Sequence, residues 1–105
     1  MSEYLEDLKK YTKNVDEMLV RKIVKHLGIA LQSRDASLVS CTDQAERDRV
    51  RDSFLKKKLG LTASDTDLDN AVLDVCEQMK DTKNKSRVTF YYLLTEKFSK
   101  QSIFQ

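Results

Sequence analysis

The residues of this chain that could act as nucleophiles or bind a soft metal are few and far apart. Its 105 residues include two cysteines, Cys41 and Cys76, and one histidine, His26. A structural zinc site takes four ligands that usually come in close pairs, so these three residues predict no metal site. A catalytic nucleophile needs a base within hydrogen-bond reach, and nothing in the spacing favours one. We therefore expect no catalysis, no metal and no cofactor.

A short acidic run, residues 65–70, begins like a calcium-binding loop. The EF-hand loop requires glycine at its sixth position and glutamate at its twelfth. Counted from Asp65, those positions hold Asn70 and Cys76. We interpret the aspartates instead as the first turn of a helix, where the helix dipole favours negative charge.

The two cysteines are predicted to be reduced thiols. A secreted domain held together by disulfides usually has more cysteines at closer spacing. Cys76 falls on an apolar helical stripe and is predicted to lie in the core. Cys41 stands where a helix is predicted to begin, and the helix dipole there can lower the pKa of a thiol. Whether Cys41 is reactive stays open.

No secretory leader and no membrane segment are expected. The first eleven residues contain Glu3, Glu6 and Asp7 and no apolar run, unlike a secretory signal. No apolar stretch approaches the roughly 20 residues that span a membrane. Together with the reduced thiols, this pattern predicts a cytoplasmic protein that does not bind membranes.

Hydrophobic spacing and capping residues predict an all-α fold. We expect one compact bundle of about five helices, not a coiled coil, that fills residues 1–105 as a single domain. Apolar residues make up 40% of the chain and charged residues 34%, a globular composition. The predicted helices cover about residues 3–11, 15–32, 43–59, 66–79 and 87–100. The clearest amphipathic pattern is formed by Leu68, Val72, Val75, Cys76 and Met79.

Two segments leave an alternative open. Gly28 could end the second helix, but the apolar stripe continues beyond it. We therefore favour a helix that reaches Gln32, with Gly28 where another backbone packs close. Residues 88–95 are rich in side chains that favour strands. We favour a helix there because Phe90 and Leu94 fall on one helical face, and a lone strand would have no partner.

Charged residues and tyrosines supply the candidate binding surface. The helix over residues 43–59 carries six bases and four acids, and more bases follow at residues 80–87. Mixed signs along a helix are typical of a solvated face. Tyr91 and Tyr92 point in different directions on a helix, so one is predicted to be partly exposed and able to anchor a partner. The candidate partner-binding residues are Arg47, Arg51, Lys58, Lys85, Arg87 and Tyr92.

Four stretches of the chain form a specific combination. They are SRDASLVSC at 33–41, YLEDLKKY at 4–11, FLKKKLGLTASD at 54–65 and KSRVTFYYLL at 85–94. The combination resembles a family of short bacterial proteins known only as a domain of unknown function. The resemblance covers essentially the whole chain and implies a small stand-alone bacterial protein. It implies no activity, ligand or catalytic residue.

By elimination, the sequence predicts a small helical protein-interaction module without catalysis. Its expected partner is another protein or a second copy of the same chain. The alternative is a weak nucleic-acid-binding protein whose basic helix surface contacts phosphates. We favour this alternative less, because acids interleave with the arginines and the net charge is only +2.

Overall fold

The most deeply buried element is helix α5, Arg87–Lys97. The structure is a computed structural model that describes residues 2–104. Every residue from 87 to 95 is buried, which is the expected environment for a helix that is apolar on all sides. The stretch rich in β-formers is therefore a helix, as predicted, and its aromatic side chains fill the centre of the fold.

Four further α-helices complete the fold and confirm the predicted all-α class. They are α1 (Ser2–Leu8), α2 (Glu17–Leu27), α3 (Gln44–Arg49) and α4 (Asp65–Gln78). Three helical segments of other types extend the α-helices: a 3-10 helix after α2 (Gly28–Gln32), a π-helix after α3 (Val50–Lys58) and a 3-10 helix after α5 (Gln101–Phe104). No helix within residues 2–104 has both the length and the apolar character needed to cross a membrane.

Side-chain caps set the starts of the helices. Four residues each accept a hydrogen bond from a backbone N–H in the first turn of the helix that follows them. These capping residues are Asp16, Asp43, Ser64 and Ser86. The sequence predicts the cap Ser86 correctly. For the other three helices its patterns indicate Asn14, Thr42 or Cys41, and Asp65 or Thr66, each one or two residues from the observed cap. Neighbouring Asn, Asp, Ser and Thr residues cap almost equally well.

Gly28 ends α2, so the predicted continuation to Gln32 as one helix is wrong. The φ of Gly28 is +46°, in the left-handed region that glycine adopts at low cost. Its N–H bonds to the carbonyl of Val24, and the chain then turns into the 3-10 helix. A Cβ at this position would meet nothing within 4 Å. Backbone conformation, not the predicted close packing, therefore requires the glycine.

The third predicted helix continues α3 to Lys58, but its second part is a π-helix. The side chains it buries recur every four or five residues: Val50, Phe54, Leu55 and Leu59. This spacing suits the wider π turn, in which an N–H bonds to the carbonyl five residues back, as that of Leu59 does to Phe54. Gly60, with φ +68°, follows directly, as predicted.

Two short strands join loops that are distant in the sequence. Strand β1 (Leu38–Val39) pairs antiparallel with β2 (Lys85–Ser86), with Leu38 opposite Ser86. The connection between the second and third predicted helices thus contains a strand, and its Val39 is buried in the core.

Cys41 and Cys76 form a disulfide, so the prediction of reduced thiols is wrong. Their Cα atoms lie 5.9 Å apart, within the range that a disulfide spans. The bond joins the turn before α3 to α4, across 35 residues of sequence. Sequence spacing could not reveal it, because the pairing depends on how α3 packs against α4. In this state Cys41 offers no thiol to act as a nucleophile.

Candidate interaction surface

Arg87 does not lie on the exposed surface where it is predicted. Its guanidinium pairs with the Glu46 carboxylate, and the two side chains are 11% and 8% exposed. It also donates hydrogen bonds to the carbonyls of Ala36, at 2.6 Å, and Leu38, at 3.0 Å. Burial is possible because α3 brings an acid to meet the base. Arg87 therefore fastens the loop before α3 onto α5.

The two tyrosines of α5 are both buried, against the prediction that one is exposed. Tyr92 is 2% exposed, and its hydroxyl accepts a hydrogen bond from the backbone N–H of Asp16 at 2.8 Å. The ring of Tyr91 stacks on Phe54, with ring centres 3.8 Å apart. Burial raises the pKa of both hydroxyls. Neither tyrosine can anchor a partner, because neighbouring helices enclose α5.

Two arginines of the third helix, Arg47 and Arg51, are engaged within the fold. The Arg51 side chain is 16% exposed and lies 2.8 Å from Asp52 and 3.0 Å from Asp69 of α4. Hydrogen bonds to these two carboxylates raise the pKa of Arg51. Arg47 is half-buried and donates to the carbonyl of Cys41. Both arginines therefore hold α3 and the π-helix against their neighbours.

The last two predicted residues have different surroundings. Lys85 lies in β2, half-buried, and its ammonium donates to the carbonyl of Thr82 at 2.6 Å. Lys58 lies over the ring of Phe104, with its nitrogen 4.9 Å from the ring centre, a cation–π distance. The structure does not bring the six predicted residues into one surface, and Lys58 belongs to another.

That other surface, the Phe104 face, forms where the C-terminal 3-10 helix packs against α2 and the π-helix. It consists of two adjoining grooves that share Phe104 and Lys22. The first has a volume of about 360 Å³ and is lined by Asp16, Met18, Leu19, Lys22, Gln101 and Phe104. The second has a volume of about 380 Å³ and is lined by Lys22, Lys25, His26, Lys58, Ile103 and Phe104.

The second groove is positively charged. Among the ion pairs of residues 2–104, none involves Lys22, Lys25 or Lys58. His26 meets the edge of Phe104, with ring centres 6.0 Å apart. Burial, and then the Lys58 ammonium, lower the pKa of His26, so its imidazole is neutral at pH 7. Three lysines without an ion pair in the described chain therefore line the groove that also contains the Phe104 ring.

The first groove is mainly apolar. Met18 is 61% exposed although it is a large hydrophobic residue. The one acid in its lining, Asp16, uses its carboxylate to cap α2 through the N–H of Leu19. The two grooves together present an apolar trough next to a basic one.

Sequence reasoning missed this face except for Lys58. Lys22 and Lys25 are three residues apart on α2, which places them on one helix face. That spacing indicates a basic face on α2, but it does not indicate which residues pack opposite this face. Phe104 follows α5 by several residues, and only the tertiary fold brings it between α2 and the π-helix.

The acidic run at residues 65–70 forms the start of helix α4, as predicted, and two of its aspartates form ion pairs. Asp65 lies 2.5 Å from the Lys56 ammonium, and Asp69 pairs with Arg51. The hydrogen bond from Lys56 lowers the pKa of Asp65. Over the part of the chain that the structure describes, no group of three or more His, Cys, Asp or Glu is placed to hold a metal ion.

The fold and the Phe104 face define a small disulfide-linked helical protein with a basic and apolar surface. The chain belongs to DUF2853, a family described as proteins of unknown function, whose profile matches residues 3–102. The resemblance found in the sequence to a domain of unknown function is thus confirmed. None of the curated proteins matches this sequence.

Proposed function

We propose that this protein is an interaction module that binds a segment of a partner protein on the Phe104 face. The bound segment carries acidic side chains next to an apolar one. The observation that carries the proposal is the set of three lysines that line the groove with Phe104 and form no ion pair within residues 2–104. No reaction is assigned to the face, in keeping with the expectation that the protein is not an enzyme.

The contrast with the rest of the surface supports an acidic partner. Several cations of the third helix form ion pairs within the chain: Arg51 with Asp52 and Asp69, Arg49 with Glu46, and Lys56 with Asp65. Lys22, Lys25 and Lys58 line one groove, and no acid within residues 2–104 forms an ion pair with them, so the repulsion between their like charges is not offset by such a pair. Bound carboxylates would relieve that repulsion, and complementary charge also accelerates encounter and selects among partners.

The neighbouring groove supports an apolar side chain on the same segment. Exposed Met18 and the edge of Phe104 line a trough large enough for one leucine or phenylalanine side chain. Methionine adapts its shape to different apolar partners. A segment that lies across Lys22 would place its apolar residue in the first groove and its acids in the second.

A second copy of this chain is a poorer occupant. Its most acidic element is α4, and four acids there are already paired: Asp65 with Lys56, Asp69 with Arg51, Asp74 with Lys97 and Glu77 with Lys80. To dock on the Phe104 face, α4 would have to break these pairs. A separate protein with uncompensated acids has no such cost.

Nucleic acid also carries negative charge and is the competing outcome. Phosphates would use the lysines but leave the apolar groove empty. Phosphate binding also weakens steeply with salt, by powers of ten between about 50 and 200 mM when many contacts form. A peptide with an apolar anchor and few charges should depend on salt far less.

Fluorescence anisotropy with defined probes tests the proposal. The probes are a labelled glutamate-rich peptide containing leucine, the same peptide with serine for leucine, the same peptide with glutamine for glutamate, and a generic DNA oligonucleotide. We expect the first to bind most tightly. The double variant Lys22→Glu/Lys58→Glu should weaken its binding about tenfold, because two attractions become repulsions.

A matched control keeps the change in net charge the same. Lys13→Glu/Lys83→Glu alters two exposed lysines outside the face and should leave the affinity unchanged. Equal binding of the three peptides, or equal weakening by both double variants, would refute the proposal. Tighter binding of DNA that is lost on Lys22→Glu/Lys58→Glu would assign the face to nucleic acid.

The bacterial source and the cytoplasmic location stay proposals. The disulfide bears on the second, because disulfides persist mainly in oxidising compartments. Alkylation of the protein during its isolation from its own cells distinguishes a reducing compartment from an oxidising one. Two reactive thiols would support a reducing cytoplasm, and none would place the working protein in an oxidising one.

A further inference from the structure

A second cleft, separate from the Phe104 face, has a volume of about 460 Å³. It lies between the end of α2, the loop before α3, α3 itself and α5. Its lining includes Leu27, Ala30, Glu46, Arg49, Arg87 and Tyr91. We propose that this cleft binds a small apolar monocarboxylate, with the carboxylate held by Arg49 and Tyr91 and the apolar part against Leu27 and Ala30.

The polar floor of the cleft is rigid. Arg87 and Glu46 are both buried and form an ion pair. Arg87 is also bound to the Tyr91 hydroxyl at 3.0 Å and to the carbonyl of Ala36 at 2.6 Å. The Tyr91 ring is held by its stacking on Phe54. A ligand therefore meets groups that are already positioned, which lowers the entropic cost of binding.

Two side chains in the lining carry hydrogen-bond donors that have no acceptor within the described chain. The Tyr91 hydroxyl accepts from Arg87 but donates to no acceptor within residues 2–104, although Tyr91 is only 5% exposed. Arg49 uses one nitrogen, Nη1, to bind Glu46 at 2.7 Å and leaves Nε and Nη2 without a partner in the described chain. Its side chain is 65% exposed, so these nitrogens are open to a ligand.

The unused donors select an acceptor rather than a donor on the ligand. Burial raises the pKa of Tyr91, so its hydroxyl keeps its hydrogen at neutral pH. A guanidinium with two free nitrogens binds a carboxylate through two parallel hydrogen bonds, more strongly than it binds a neutral carbonyl. Glu46 does not prevent this, because Arg87 and Arg49 already neutralise it.

Apolar side chains limit the size and type of ligand. Leu27 and Ala30 form one wall, and a cleft of 460 Å³ is within the range of small-molecule sites. A short branched-chain acid or an aromatic acid fits this description. A dicarboxylate does not, because the lining offers no second free base and includes the acid Asp35.

NMR titration of the ¹⁵N-labelled protein with sodium benzoate tests the proposal, with benzamide as the uncharged counterpart. We expect saturable shifts at Ala36 and at the Arg49 side chain, and much weaker ones with benzamide. Arg49→Gln should weaken benzoate binding at least about fivefold. Arg34→Gln, an exposed arginine outside the lining, should not alter it.

Two further variants distinguish benzoate binding in this cleft from binding elsewhere on the protein. Tyr91→Phe should weaken benzoate binding about threefold or more while the protein stays folded by circular dichroism. Lys22→Glu/Lys58→Glu should bind benzoate normally, so failure of the proposed function would not affect this result. Shifts that do not saturate, equal shifts with benzamide, or full binding by Arg49→Gln would each overturn the proposal.

Discussion

The Arg87 guanidinium and the Glu46 carboxylate form a largely buried ion pair between residues that lie 41 positions apart in the sequence. The pair joins α3 to α5 at the floor of the second cleft. Such pairs add little net stability over an apolar core, but removing one partner leaves a buried charge uncompensated. Arg87 is thus a structural residue, and its burial beside Glu46 predicts how removal of Glu46 affects stability.

Glu46→Ala is expected to lower the free energy of unfolding by about 3–5 kcal/mol, because it leaves Arg87 buried without its counter-charge. Urea denaturation followed by circular dichroism measures the change. Glu6→Ala removes an exposed acid that pairs with Lys9 and should change stability by no more than about 0.5 kcal/mol. Similar small losses in both variants would show that water reaches the Arg87 guanidinium.

Replacing both cysteines by serine is expected to destabilise the protein by about 3–4 kcal/mol. A cross-link that closes a loop of this length, with 35 residues between its ends, restricts the unfolded chain by about that amount. The midpoint of urea unfolding measures the loss. Dithiothreitol should destabilise the native protein similarly and should leave the Cys41→Ser/Cys76→Ser variant unchanged. If dithiothreitol left the midpoint of urea unfolding of the native protein unchanged, this result would contradict the presence of the disulfide.

Tyr92→Phe is expected to cost about 0.5–1.5 kcal/mol, because the backbone N–H of Asp16 loses its acceptor at the start of α2. Thermal or urea unfolding measures it. Tyr4→Phe serves as the control, since the Tyr4 hydroxyl forms no hydrogen bond within the described residues. Loss of peptide binding by Tyr92→Phe without loss of stability would instead restore Tyr92 as a partner-binding residue.

The titration of His26 should report on the Phe104 face. Burial, followed by Lys58, lowers its pKa below the ordinary value of about 6.5. The imidazole of His26 therefore binds a proton more readily in the unfolded chain than in the folded protein. Above pH ~6.5 His26 is neutral in both states, and its contribution to the free energy of unfolding is fully present. This contribution is lost as the pH falls through the pKa that His26 has in the folded protein.

NMR of the His26 ring checks both the pKa and the proposed partner. Lys58→Met should move the pKa of His26 upward, because a nearby positive charge is removed. The glutamate-rich leucine peptide should also raise it, because its carboxylates stabilise the protonated ring. Lys83→Met, which removes an exposed lysine elsewhere, should not. A pKa that stays unchanged on addition of saturating peptide would place the peptide away from this face.

Local sequence patterns predict where the helices lie but not where each one ends. The spacing of Leu68, Val72 and Val75 predicts α4 correctly, because one continuous face of that helix is buried. At Gly28 the apolar stripe continues beyond the helix, so periodicity alone suggests one long element. The positive φ that ends α2 is a property of the backbone, and the hydrophobic pattern does not record it.

The candidate site could be predicted only in part, because it is made by tertiary contacts. A sequence shows that Arg87 and Tyr92 are polar or amphipathic but not that α5 is enclosed. It places Lys22 and Lys25 on one face but gives no sign that Phe104 lies beside Lys58. The disulfide and the Arg87–Glu46 pair escape prediction for the same reason, since each joins segments at least 35 residues apart.

The enclosure of α5 has a consequence for how the chain folds during synthesis. Helix α5 follows α1 to α4 in the chain, so these four helices emerge from the ribosome before it, with their apolar faces open. These helices cannot close a core until residues 87–95 arrive among them. Folding is therefore expected to wait for translation to reach this segment, and nascent chains cut short before it should stay sensitive to protease.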